Sequence, residues 1–353
     1  MIAVGRTGPI LSPADGAVGT ASAPVREGIL ELPGTLQLHF GGQLENVRVA
    51  WRLTGNAGPV VAALGGISAG RSVANGSVKG WWGEVVGSGG ALDTDRCQVL
   101  GFDYLGGSGE TTGPQAGQKR VLSSFPSVSA YDQAELLRRV INHLDCGPLQ
   151  AIIGASYGGM VALAFAERWP ELVRHIVVIS AADRSHPLST AWRSVQRAIV
   201  RYAARNGDGP EGLRLARALA MTTYRSADEF ATRFGGEPVQ VDGRFQFPVE
   251  AYLLARGDAY AASYVPEAFV CLSESIDLHR VDASRIRVPT TLVAIREDQL
   301  VPLADMQTLG ARLAGPVELV ELSSLYGHDA FLKECVALRP IIAGATGFQG
   351  EST

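Results

Sequence analysis

Leu149-Gln150-Ala151-Ile152-Ile153-Gly154-Ala155-Ser156-Tyr157-Gly158-Gly159-Met160-Val161-Ala162-Leu163-Ala164-Phe165-Ala166 is the stretch on which the reading of this chain turns. The short apolar run ending at Ile153 predicts a buried strand, and the run from Met160 predicts a helix. Between them, Gly154-Ala155-Ser156-Tyr157-Gly158 sets a serine between two glycines at a strand-to-helix turn. A nucleophile elbow needs this arrangement, because the turn is too tight for bulky flanking residues and lifts the serine hydroxyl above the sheet edge. Five residues can match by chance, so the elements on either side carry the weight.

Working outward, Leu36 to Phe40 and Val47 to Leu53 alternate with period two, separated by Gly41-Gly42, and the β-like pattern begins near Leu30. Pro59 to Leu64 and Cys97 to Asp103 predict buried strands before the elbow, with an amphipathic helix from Asp132 to Leu144. His175 to Ser180, Thr290 to Ile295 and Val317 to Leu322 predict strands after it. Strands alternating with helices imply an α/β chain with a doubly wound, mostly parallel sheet, whose reactive groups gather at the strands' carboxyl ends.

From Ala181 to Arg287 the strand pattern gives way to helical runs at Ala191 to Arg205, Gly212 to Met221 and Pro266 to Ile276. Such an insertion reads as a helical cap over residues 181–287, the alternative being a separate helical domain. The core is then 29–180 with 288–345, and residues 1–28 read as a flexible extension.

Composition narrows the function classes. With 353 residues, 46% hydrophobic and 19% charged, the chain can bury a large core. A net charge of −4 gives no reason to expect nucleic acid or an anionic membrane surface. No apolar run reaches membrane-spanning length. The N-terminus has no apolar segment of the secretory kind, and Cys97, Cys146, Cys271 and Cys335 form no metal-type pair. A cytoplasmic protein with no metal site is the expectation.

A serine hydroxyl becomes a useful nucleophile only when a base takes its proton and a third group fixes the base. After an elbow of this kind the partners follow in the order serine, acid, histidine. Asp298, after the Thr290 to Ile295 strand, is the candidate acid, with Glu297 beside it chemically open. His328, in the loop after the last strand, is the candidate base. The five other histidines precede both. The tetrahedral intermediate needs N–H donors: one is the backbone of Tyr157, and the other is assigned to Gly66, with Gly65 and Ile67 as neighbours able to supply it. No dinucleotide, Walker or zinc-protease motif is present.

The triad alone does not separate hydrolysis from transfer. Gly80-Trp81-Trp82-Gly83-Glu84-Val85-Val86-Gly87, Ala91-Leu92-Asp93-Thr94-Asp95-Arg96, Thr111-Thr112-Gly113-Pro114, Ser194-Val195-Gln196-Arg197, Met221-Thr222-Thr223-Tyr224-Arg225-Ser226 and Gly327-His328-Asp329-Ala330-Phe331-Leu332 together resemble the homoserine O-acetyltransferase family. The resemblance spans about Gly41 to Glu334 and implies an α/β-hydrolase fold with a helical cap. It further implies acyl-CoA as co-substrate with no bound cofactor, L-homoserine as acceptor, a ping-pong route through acyl-Ser156 in methionine synthesis, and a homodimer built through the cap. It places Arg197 at the substrate carboxylate, Asp329 at the ammonium and Tyr224 in the pocket. O-acetyl transfer is the first expectation. O-succinyl transfer, which a cationic group near the acyl pocket would favour, a serine acceptor and carboxylester hydrolysis are the alternatives. The chain differs from the family at Tyr157, Tyr104 and Leu64-Gly65-Gly66-Ile67-Ser68, all expected to border the acyl pocket or the oxyanion donors.

Overall fold

The computed structural model describes residues 23–114 and 125–347. In chain order the strands are β1 (Val25–Gln37), β2 (Gln43–Thr54), β3 (Val60–Leu64), β4 (Val86–Gly87), β5 (Leu92–Asp93), β6 (Gln98–Phe102), β7 (Ala151–Ala155), β8 (Ile176–Ile179), β9 (Val239–Val241), β10 (Arg244–Gln246), β11 (Thr290–Ile295) and β12 (Val317–Leu322). Eight of them form one sheet in the order β1-β2-β6-β3-β7-β8-β11-β12. β1 and β2 pair antiparallel, as do β2 and β6, and the other neighbours run parallel. The central strands β3, β7, β8 and β11 are buried at every position, so they read as unbroken apolar runs rather than alternating ones.

The helices are α1 (Ala130–Leu144), α2 (Tyr157–Arg168), α3 (Pro187–Arg205), α4 (Gly209–Tyr224), α5 (Ala227–Phe234), α6 (Pro248–Ala261), α7 (Pro266–Leu278), α8 (Leu303–Arg312) and α9 (Cys335–Thr346). α1 is started by a capping box in which Ser129 and Asp132 satisfy each other's backbone donors. The chain leaves β3 for β6 on one side and crosses to β7 on the other. The carboxyl ends of β3 and β7 therefore flank the point where strand order reverses, the usual crevice for ligands in such sheets.

Helices α3 to α7 fall between β8 and β11, joined by the exposed β9–β10 hairpin, which the helical pattern of the sequence does not foretell. They bury a small core of their own from Val200, Leu213, Ala216, Tyr260, Phe269 and Val270, against which Ile67 from the loop after β3 packs. β1 begins at Val25, inside the segment expected as an extension, and residues 1–22 of that segment lie outside the described ones. The difference has a physical cause: the N-terminal half of this edge strand is mostly exposed and shows no apolar alternation.

Candidate active site

At the end of β7, Ser156 takes φ 54° and ψ −121°, a strained conformation for a residue with a β-carbon. Its neighbours permit it. A Cβ on Gly154 would stand 2.2 Å from the Gly158 carbonyl oxygen, and one on Gly158 the same distance from the Leu64 carbonyl oxygen. The elbow is pinned on both sides, Ser156 N donating to Ile179 O at 2.9 Å and Gly158 N to Gly65 O at 2.9 Å. Ser156 precedes α2 without using its hydroxyl as a cap. That hydroxyl is left for a side-chain partner, and the positive end of the helix lies beneath it.

His328 reaches the elbow from the short helical turn after β12. Its Nε2 lies 2.8 Å from Ser156 Oγ and its Nδ1 2.7 Å from Asp298 Oδ2. The other Asp298 oxygen accepts from the backbone N–H groups of Leu300 at 2.8 Å and Val301 at 3.0 Å. An acceptor-only carboxylate at Nδ1 makes that nitrogen the donor and leaves Nε2 to accept from Ser156. Burial alone would depress the His328 pKa, but the Asp298 carboxylate and its hydrogen bond, with Asp329 adding to them, outweigh burial and hold it above 6.5. Glu297 turns away, accepting from the Ser323 hydroxyl and from Ser324 N at 2.7 Å. Asp298 is therefore the acid that faces the histidine.

Tyr157 opens α2, so its N–H belongs to the unpaired first turn beside Ser156, while its ring points the other way into the core. The Tyr157 hydroxyl lies 2.6 Å from Ser275 Oγ, and its ring meets Tyr104 edge-on with centroids 5.1 Å apart. Tyr104 in turn donates to the Gly65 carbonyl at 2.7 Å, and the same carbonyl takes Gly158 N. Neither tyrosine lines the cavity. They act on it only indirectly, by fixing the loop that carries Gly66. Gly66 and Ile67 do line it, and nothing lies within 4 Å of where a Gly66 Cβ would stand.

The cavity at Ser156 measures about 200 Å³ and extends between the sheet and α3, α4 and α7. Asp329 and Tyr224 line it, and Arg197 does not. The Arg197 Nη1 donates to Ser273 O and Ser273 Oγ, each at 3.0 Å, and pairs with Asp277, so this guanidinium braces α3 on α7. Arg197, expected at the substrate carboxylate, thus stands behind the cavity wall. Arg217 occupies the wall instead, its guanidinium over the rings of Tyr224 at 5.0 Å and Tyr260 at 4.6 Å. It donates to the Tyr224 hydroxyl at 3.3 Å and has no carboxylate partner among the described residues. Its sequence signal is the seven-residue interval to Tyr224, two helical turns along one face of α4. Arg225 Nε stands 3.1 Å from Asp329 Oδ2 as an ion pair, though off the direction a hydrogen bond requires. A further part of the wall, which the sequence pattern does not single out, carries Arg184, His186 and Arg193. Among the described residues no cluster of His, Cys, Asp and Glu is arranged to hold a metal, and no helix is long and apolar enough to cross a membrane.

This geometry has relatives. The alpha/beta hydrolase fold family matches residues 65–334. The homoserine O-succinyltransferase of Xanthomonas campestris is 38% identical over 326 residues, spanning 91% of this chain and 85% of that protein. The L-serine/homoserine O-acetyltransferase of Streptomyces lavendulae is 33% identical, spanning 91% of this chain and 97% of that one. In three dimensions the homoserine O-acetyltransferase from Bacillus anthracis superposes with a TM-score of 0.82 at 16% identity, covering 93% of this chain and 99% of the other, which bears on the fold. The chain belongs to the homoserine O-acetyltransferase family of the α/β-hydrolase fold.

Proposed function

We propose that the protein moves an acyl group from acyl-coenzyme A to the side-chain hydroxyl of L-homoserine, through an ester on Ser156, as a step toward methionine. One observation carries this reading: the Ser156–His328–Asp298 chain opens into a cavity walled by an arginine and a carboxylate, Arg217 and Asp329. An ester substrate bound for hydrolysis needs no such pair. An amino acid presents one anion and one cation, and the Arg217 fork suits the first as Asp329 suits the second.

In the first half-reaction His328 takes the Ser156 proton as Oγ attacks the thioester carbonyl. The oxyanion is held by the N–H groups of Tyr157 and Gly66, and the coenzyme A sulfur leaves with the proton from His328. In the second half, His328 takes the homoserine hydroxyl proton, that oxygen attacks the acyl-serine, and Ser156 recovers its proton. Tyr224, 5.9 Å from the His328 ring between centroids, closes the pocket beside the acceptor.

The cavity wall supports a succinyl donor over an acetyl one. Arg184 and Arg193 line the cavity with Asp305 beside them; Arg184 pairs with Asp183, and Arg193 shares Asp277 with Arg197, which stands behind the wall. Guanidinium donors on this wall suit an acyl chain ending in a carboxylate.

Mixing the protein with succinyl-CoA or acetyl-CoA while following free thiol is expected to show sustained release only when L-homoserine is present. L-serine is the control acceptor. Arg217→Met is expected to raise the homoserine KM by about 10²-fold, the effect of removing one partner of a buried charge pair, while leaving the initial acylation of Ser156 in place. Sustained release without acceptor, or none with either donor, would sink the reading.

The pH profile follows from His328. Only the neutral imidazole can accept the serine proton, so activity falls as pH drops through its pKa, which lies above 6.5 in the free protein. The acid limb of kcat/KM for the donor is therefore expected above pH 6.5. A limb below that value would show that another group controls the step.

A further inference from the structure

Ser180 is the first residue past β8, and three independent features single it out. Its φ is 50°, a left-handed conformation that residues with a β-carbon seldom hold unless the surroundings or a function require it. It is 1% exposed, yet its Oγ has no hydrogen-bond partner among the described residues. It also lines the cavity that holds Ser156. Its backbone is fixed there, since the preceding carbonyl, Ile179 O, accepts from Ser156 N at 2.9 Å, and Ser180 N donates to Val293 O at 3.0 Å. A buried hydroxyl without a partner is unfavourable, and such a group in a native site is one that a ligand atom can complete.

The surroundings indicate which ligand atom. The segment from Ser180 to Arg193 also contributes the guanidinium groups of Arg184 and Arg193 to the cavity wall, while Asp305 lines the same cavity from α8. Asp329, Arg217 and Tyr224 come from other elements and are assigned above to the amino acid. We infer that the Ser180 hydroxyl donates to the distal carboxylate of a dicarboxylic acyl group carried on Ser156, and so takes part in selecting the acyl donor. The inference rests on the acyl-transfer reading. An acetyl group has no oxygen beyond its carbonyl and leaves the Ser180 hydroxyl unpartnered, whereas a succinyl group completes it.

Two variants separate the hydroxyl from the backbone. Ser180→Ala removes Oγ and keeps the left-handed strain, while Ser180→Gly removes Oγ and relaxes it. The measurement is kcat/KM for succinyl-CoA and for acetyl-CoA with saturating L-homoserine. In both variants the ratio of succinyl to acetyl is expected to fall roughly ten-fold or more, as for loss of a hydrogen bond to a charged group, even though their melting temperatures differ. A ratio unchanged in both, or changed in only one, overturns the inference, as does a wild type that uses acetyl-CoA and not succinyl-CoA. A wild type that uses neither donor overturns the acyl-transfer reading itself, and this inference falls with it.

Discussion

Replacing Ser156 with alanine is expected to lower acyl transfer by a factor on the order of 10⁵, with no acyl adduct detectable by intact mass after incubation with either acyl-CoA. The magnitude follows from the half-reactions: without Oγ there is no covalent intermediate, and His328 has no hydroxyl to activate. A residual rate would come only from binding and the N–H donors. The strain at this position supplies an internal control. Ser156→Ala keeps a β-carbon at φ 54°, whereas Ser156→Gly relieves it, and such strain costs on the order of 1–3 kcal/mol against a smaller entropic penalty for glycine. Both variants should be inactive and the glycine variant should melt higher. An alanine variant that retained acceptor-dependent coenzyme A release within about a hundred-fold of wild type, against the far larger loss expected for a missing nucleophile, would refute the covalent route.

The elbow was legible in the sequence because its constraints are local. Gly154 and Gly158 are required by contacts with backbone a few residues away or on the adjoining strand, and no distant packing decides them. Asp298 and His328 were legible for a related reason. Each follows a strand of unbroken apolar or alternating pattern, and topology brings the carboxyl ends of β7, β11 and β12 to one edge. The choice between Glu297 and Asp298 was not legible, since adjacent side chains diverge and only the fold shows which one faces the imidazole. Which arginine lines the cavity was not legible for a deeper reason. Arg197 and Arg217 both lie on helices of an Arg-rich segment, and which guanidinium faces the cavity depends on how α3 and α4 pack against α7. Helical periodicity gives a residue's face but not what that face meets. Tyr157 shows the converse case: a departure from the family wording beside the nucleophile leaves the pocket unlined by its ring, because its N–H and its side chain point opposite ways at the start of α2.

Asp298→Asn is expected to cost about 10⁴ in kcat/KM, the scale seen when a triad histidine is held in the wrong tautomer, with little change in fold. One Asp298 oxygen accepts two backbone N–H groups, from Leu300 and Val301. In the asparagine variant the carbonyl oxygen must keep that place, because an amide NH₂ cannot accept from them. The NH₂ is then turned toward His328 Nδ1 and donates to it. Nδ1 becomes an acceptor and the ring proton moves to Nε2, where it faces Ser156 Oγ and bars proton removal. Glu297→Gln is the matched control. It changes one residue along the chain and disturbs the bonds to Ser323 and Ser324, which support the loop without touching the imidazole. Its effect on kcat/KM should stay within about ten-fold, consistent with loss of one charge-assisted hydrogen bond near the surface. Steady-state kinetics on both variants with melting curves decide the matter. A reversed order, with Glu297→Gln crippling and Asp298→Asn mild, would transfer the acid role to Glu297 and require the loop after β11 to rearrange during turnover.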